Sequence, residues 1–366
     1  MTKLFAENAA PLQFSKEHTL ITKGILIILM IVHHTLDTQF RNQYQVQTFI
    51  SNETLLIHIV SFGSMCISGF AFLSAYGMTQ SLKSRKSVQW NSCFKWIGVR
   101  LIKLESSIFF IYILALLYKR LIMHESISAL YDNGAGTKFI YLIIDAFGMA
   151  AYFNTPQINI TWWYMYFAVL LIITMPFLYM LYDKFRCLLL PVICLLPMAV
   201  SPLQTRAGIQ SNYAMLLPSA VLGIAFAYEG WFGKIQQAGH KIIKLACMLF
   251  AVKLTFDIWS YVGREPAYTL AFMIPLIVFE LIAQIPILST VLKQIGKHAT
   301  NIFLIHTFIY YYWYTDFIYS FRYSLCIVFG LIAVCMAVSV IIELLKKISG
   351  YDYLISKIVC KLETLS

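Results

Sequence analysis

The chain alternates long apolar runs with short polar breaks, and the hydrophobic residues fall in solid blocks rather than in amphipathic stripes. Blocks of this kind suit helices in hydrocarbon, where every backbone amide must be paired inside its own segment. A bilayer core of about 30 Å takes about 20 helical residues per crossing. By that measure the pattern predicts ten spans: Leu20–Asp37, Leu56–Met78, Leu101–Leu121, Trp162–Tyr182, Cys187–Val200, Asn212–Tyr228, Ile242–Ser260, Tyr268–Pro286, Ala299–Tyr314 and Tyr323–Leu345. The fifth is short and contains Pro191 and Pro197. An eleventh run, Phe139–Phe153, holds Asp145 and Gly148, precedes Asn154-Thr155-Pro156, and is too short to cross comfortably.

Composition agrees with an all-α, polytopic membrane protein. The 366 residues are 60% hydrophobic and only 12% charged, where about a quarter is usual in soluble domains. The net charge of +11 would suggest nucleic acid in a soluble protein, but here it sorts by loop. With the N-terminus inside and Phe139–Phe153 not crossing, Arg41, Lys119, Arg120, Lys138, Arg206, Arg264 and Arg322 lie outside, Lys253 lies within a span, and the other twenty Lys and Arg lie inside. Membrane proteins collect Lys and Arg in cytoplasmic loops, so the excess is a topology signal, and a nucleic-acid partner is not expected. Both termini are predicted to be cytoplasmic, and Phe139–Phe153 to be re-entrant or to lie on the outer face, since a crossing there would invert every later loop.

Residues 1–15 read as a cytoplasmic tail, 16–347 as one membrane domain and 348–366 as a second tail. The polar stretch Met1–Thr19 lacks the basic-then-apolar design of a cleavable signal, so the first run is expected to remain as an anchor. The eight cysteines show no metal-ligand spacing and read as reduced packing residues; no metal site is expected.

Ionisable groups at membrane depth are costly and mark function by default. In the first span Lys23 and His34 are eleven residues apart, which places them on one helix face about 16 Å apart in height. A cation at the cytoplasmic mouth and an imidazole above it suit a substrate with an anionic head and a reactive end, the shape of acyl-coenzyme A. His34 suits a general base on an acceptor hydroxyl; as a bland alternative, it makes a helix-packing hydrogen bond. Asp37 either holds the imidazole tautomer or pairs with Arg41. Arg100 and Lys103, three apart at a helix start, are expected to face one groove and clamp phosphate, although lipid phosphates are the alternative partners for such cations. His306, with Tyr310 one turn above, either binds acceptor, orients His34, or packs helices. Trp163 either stacks on a sugar or belongs to an interfacial aromatic belt.

Five stretches in this chain resemble the membrane-bound acyltransferase 3 family in the family's own order. Lys23-Gly24-Ile25 with His34 matches its basic residue and histidine eleven positions apart, with Lys in place of the usual Arg. Ile67-Ser68-Gly69-Phe70 resembles its Ser-Gly-aromatic second helix, and Lys95–Leu104 its Arg-rich entry to the third. Trp163-Tyr164-Met165 resembles its Trp-Phe-Leu segment, and Gly296–His306 its late Gly-Lys-x-Ser and Leu-Ile-His segment, with Ala299 replacing the usual Ser.

The resemblance implies a stand-alone multi-helix O-acyltransferase, without a secreted esterase-like domain. It implies a multi-pass enzyme of the bacterial cytoplasmic membrane that moves an acyl group, most often acetyl, from cytoplasmic acyl-CoA to a hydroxyl of a polysaccharide or lipid-linked sugar of the cell envelope. On this reading His34 and Asp37 are catalytic, Lys23, Arg100 and Lys103 bind acetyl-CoA, and His306, Tyr310 and Trp163 bind acceptor. The rival class is a transporter or flippase, which predicts no affinity for coenzyme A and an internal repeat; no repeat is evident.

Overall fold

A computed structural model describes residues 13–85, 90–132, 136–207, 212–238, 241–262 and 267–364. Most of the expected tail 1–15, and Lys86 and Arg264 from the charge sorting, lie outside the described residues. Among the described residues the regular secondary structure is all helical, apart from one isolated bridge between Gln47 and Tyr323.

Five helical stretches among them are long and apolar enough to cross a membrane: Lys16–Thr35, Glu53–Lys83, Ser92–Leu121, Ile160–Leu196 and Ser324–Ile348. A sixth is reached if Tyr213–Glu229 and Trp231–Gln237, bent by 67°, form one span. Large apolar side chains face outward, among them Ile242, Phe250 and Ile287. A soluble monomer rarely carries so broad an apolar exterior; the chain is a membrane protein.

The helices used below are α1 (Lys16–Thr35), α2 (Thr38–Gln43), α3 (Glu53–Phe62), α4 (Met65–Lys83), α5 (Trp90–Leu121), α6 (Lys138–Ala146), α7 (Trp163–Phe185), α8 (Leu189–Ala207), α9 (Asn212–Glu229), α10 (Trp231–Gln237), α11 (Lys241–Asp257), α12 (Met273–Glu280), α13 (Pro286–Lys297), α14 (Ala299–Thr307), α15 (Ser324–Ile348) and α16 (Tyr351–Thr364).

Several elements depart from the hydropathy reading. The expected second span lies within one apolar stretch, Glu53–Lys83, although a turn at Gly63-Ser64 divides it into α3 and α4. The expected Tyr268–Pro286 span is an eight-residue α-helix, α12, followed by one 3-10 turn, and Pro286 opens α13 as an N1 proline rather than closing a span. The ninth run is α14 continued by a π-helical segment, Phe308–Trp313. The stretch expected as a C-terminal tail contains α16, which packs on α5 and donates from Tyr351 Oη to the Ser106 carbonyl at 2.9 Å.

Phe139–Phe153 is too short to span, as expected: α6 and a four-residue helix with a turn between them. Its buried Asp145 carboxylate accepts from Tyr131 Oη at 2.6 Å and from Ile158 N at 2.7 Å, fastening the segment to the chain that leads into α7. Two further ion pairs lie on the helices that follow, Lys253 with Asp257 at 2.5 Å and Lys244 with Glu280 at 3.0 Å.

Helix α1 runs through the bundle against α13, α4, α12, α15, α14 and α3. Its crossing with α13 is backbone to backbone. A Cβ on Gly24 would stand 2.2 Å from the Leu292 carbonyl oxygen, and one on Gly296 would stand 1.8 Å from that of Leu20. Only glycine permits this approach on both helices, as in small-residue contacts between membrane helices. The crossing holds the lower half of α1 in place and so sets the height of the residues above it.

Candidate active site

The face of α1 that carries Lys23 continues through Ile27 and Met30 to His34, steps of four, three and four residues. Met30 and His34 line a cavity of about 280 Å³, together with His33, Ser64, Cys66, Thr161, Trp163 and Tyr164 among others. Ser64 and Cys66, at and just beyond the turn between α3 and α4, form part of its wall.

Three histidines meet at the cavity and their hydrogen bonds set them apart. The His34 ring centroid is 5.1 Å from that of His33 and 5.2 Å from that of His306. His33 Nδ1 lies 3.0 Å from the Val60 carbonyl of α3. His306 Nδ1 lies 2.8 Å from the Phe303 carbonyl and 3.2 Å from that of Ile302. Carbonyls only accept, so both Nδ1 atoms are N–H donors. In His306 this leaves Nε2 as the acceptor of the neutral ring, with Thr307 Oγ1 at 3.3 Å. His34 alone has no hydrogen-bond partner among the described residues. Its ring nitrogens are therefore uncommitted, whereas its neighbours are fixed.

His306 is fully buried and Tyr310 nearly so. Their rings stack with centroids 5.9 Å apart, and Tyr310 lies 6.1 Å from His34. Both residues back the His34 imidazole from inside the protein. The π-helical segment begins at Phe308, directly after Thr307, and such segments recur at functional sites. A polar shelf adjoins it: Thr161 Oγ1 is 2.8 Å from Thr307 Oγ1 and donates to Asn159 Oδ1 at 2.8 Å. Trp162 is buried with its indole donating to the Leu304 carbonyl at 3.0 Å, while Trp163 turns into the cavity.

A family model described as an acyltransferase domain matches residues 21–344, nearly the whole chain. The chain belongs to the acyltransferase 3 family. No curated protein and no solved structure was found to match it. As a member of this family the protein is a membrane acyltransferase, and His34, with no hydrogen-bond partner among the described residues, lines the cavity.

The acyltransferase reading distributes the expected site residues as follows. His34 and Trp163 share one cavity. His306 and Tyr310, expected to bind acceptor, orient His34 or pack helices, stand beside the His34 ring and are not among the residues that line that cavity. Asp37 neither orients His34 nor pairs with Arg41: its carboxylate accepts from Gln39 N at 2.9 Å as the N-cap of α2. Arg41 instead pairs with Glu53, at 2.7 and 3.0 Å.

Lys23 is half-buried, with no hydrogen bond or ion pair among the described residues. Between it and Met30 the same face presents Ile27, which is fully buried, so that face is packed between the cation and the cavity. Arg100 and Lys103 do not face one groove. The Arg100 guanidinium lies over the Trp96 ring, 5.2 Å from its centroid. Lys103 turns into a separate cleft between α5 and α16 that Lys346, Tyr351 and Asp352 also line. Three residues on a helix advance by about 300°, and here the remaining 60° is enough to divide the pair between two surfaces.

Sequence reasoning missed the shelf formed by Asn159, Thr161 and Thr307. A usable signal existed in Asn159-x-Thr161 directly before an apolar run, the pattern of a helix start; Asn159 does cap the 3-10 turn that leads into α7.

Proposed function

We propose that this acyltransferase is an O-acyltransferase of the bacterial cytoplasmic membrane. It takes an acyl group, acetyl as the expected case, from cytoplasmic acyl-CoA and delivers it to a hydroxyl of a cell-surface or exported glycan. Ten spans with both termini in the cytoplasm, the arrangement favoured by the charge asymmetry, put Lys23 at the cytoplasmic end of α1 and His34 in the outer half of the membrane.

The observation that carries this reading is the state of His34, the one cavity histidine with uncommitted ring nitrogens among the described residues. As the acceptor oxygen attacks the thioester carbonyl, its proton passes to a His34 nitrogen and the new C–O bond forms. The C–S bond then breaks, and the imidazolium returns the proton to the departing thiolate, so that thiol and ester are the products. The fixed tautomer of His306 presents no N–H toward Thr307 in the neutral ring, and it packs against His34 without competing for the acceptor. Lys23, which has no hydrogen bond or ion pair among the described residues, supplies a cation for the phosphate end of the donor, with Arg100 as a second.

The test is transfer of radiolabelled acetyl from acetyl-CoA to the envelope glycan of a producing cell by purified protein in nanodiscs. Label in ester linkage, released by mild alkali, is expected. A transporter would leave all label on coenzyme A and overturn the reading.

A further inference from the structure

A cleft of about 340 Å³ lies apart from the histidine cavity, between α5 and α16, at the end of the bundle where the apolar run of α15 gives way to Lys346 and Lys347. Its walls carry balanced charge: Lys103 of α5 and Lys346 of α15 stand against Asp352 and Glu363 of α16. Lys346 is buried and donates to Glu343 at 3.0 Å, which engages one of its three N–H groups. Lys103, Asp352 and Glu363 form no ion pair among the described residues, although they line one space. Opposite charges held apart across a cleft suit a ligand that carries both signs.

The hydroxyls of the cleft are acceptors. Ser106 Oγ donates to the Lys103 carbonyl at 3.1 Å, Ser356 Oγ to the Tyr353 carbonyl at 2.8 Å and Tyr351 Oη to the Ser106 carbonyl at 2.9 Å. Each proton is thereby engaged, so these oxygens turn only lone pairs toward a ligand. Together with the two carboxylates they suit a group rich in N–H.

Helix α16 also sets the depth of the cleft. On its other flank Tyr353, Leu354 and Ile358 are exposed beside Lys357 and Lys361, the make-up of a helix that rests in a bilayer surface. The cleft therefore opens at the level of lipid headgroups.

We infer that this cleft binds the phosphoethanolamine head of a membrane lipid, with the phosphate at Lys103 and Lys346 and the primary ammonium at Asp352, Glu363 and the serine oxygens. Phosphatidylglycerol would leave both carboxylates unmatched, and the trimethylated ammonium of phosphatidylcholine has no N–H to donate. A lipid seated there ties α16 to α5 and α15. The orientation proposed above makes the leaflet the cytoplasmic one, and acyl transfer does not enter the inference.

Native mass spectrometry of the full chain, released from detergent micelles with graded amounts of dioleoyl lipids and without acetyl-CoA, tests it. One phosphatidylethanolamine is expected to bind about tenfold more tightly than phosphatidylcholine or phosphatidylglycerol. Lys103→Ala and Asp352→Asn alter exposed side chains, which bears little on folding, and each is expected to bring phosphatidylethanolamine down to the level of phosphatidylcholine. Equal or tighter binding of either comparator would overturn the inference, as would a preference that survives both substitutions. Soluble glycerophosphoethanolamine at the same concentration is expected to leave the lipid bound; displacement would assign the cleft to a soluble ligand and overturn the lipid assignment. Displacement of the lipid by added acetyl-CoA would put the acyl donor in the cleft and overturn it as well.

Discussion

His34→Ala is expected to lower acetyl transfer by at least about a hundredfold, the range in which a positioned general base contributes, while the protein still folds and still binds acetyl-CoA. The expectation follows from geometry. The ring makes no hydrogen bond among the described residues, so its removal leaves no buried donor or acceptor unpaired and little structural cost is anticipated. His33→Ala should behave in the opposite sense. His33 joins α1 to α3 through the Val60 carbonyl, and its loss should lower thermal stability by about 1 kcal/mol with a milder effect on transfer. Initial rates and melting temperatures of the two variants, measured side by side, check both halves. If transfer in His34→Ala equals that of the parent, the mechanism is wrong.

The second large effect is expected far from the chemistry. Gly296→Ala puts a Cβ 1.8 Å from the Leu20 carbonyl oxygen, and that neighbour is backbone, which cannot rotate aside. Helix α13 must move off α1, with a loss of about 3 kcal/mol or more, at or above the upper end for overpacked cores. Gly77→Ala is the matched control. It lies in the interior of α4 with nothing within 4 Å of an added Cβ, so the same change should stabilise by roughly 0.5–1 kcal/mol through helix propensity. Thermal unfolding in detergent should show opposite signs. A Gly296→Ala protein as stable as the parent would show that the close crossing is not needed.

Much of this architecture was legible in the apolar runs. Helices α1, α5, α7, α9 and α15 fall where hydropathy puts them, because a span is announced by composition alone. The face shared by Lys23 and His34 was legible for a similar reason, since helical geometry fixes it once α1 is helical. What hydropathy could not show is how helices end inside a bundle. The Gly63-Ser64 turn is hidden within an apolar run, and Ser64 there lines the cavity beside His34. Pro286 stands where a span could stop, yet it starts α13, because a proline at the first position of a helix forfeits no hydrogen bond.

Side-chain partners were the other blind spot. Asp37 is three residues beyond His34, a spacing that allows contact within one helix, but α1 ends at Thr35 and Asp37 caps the next helix instead. His306 and Tyr310 were rightly grouped with each other, and only the packing of the surrounding helices shows that both rings lie beside His34. Arg100 and Lys103 show the limit of spacing arguments most plainly, since one helix edge divides them between Trp96 and the α16 cleft.

The most direct measurement is isothermal titration of the purified chain with acetyl-CoA. The account predicts one-to-one binding that weakens about tenfold in Lys23→Ala, equivalent to about 1.4 kcal/mol, and that is largely unchanged in His34→Ala. Absence of any acetyl-CoA binding to the intact protein would contradict the account.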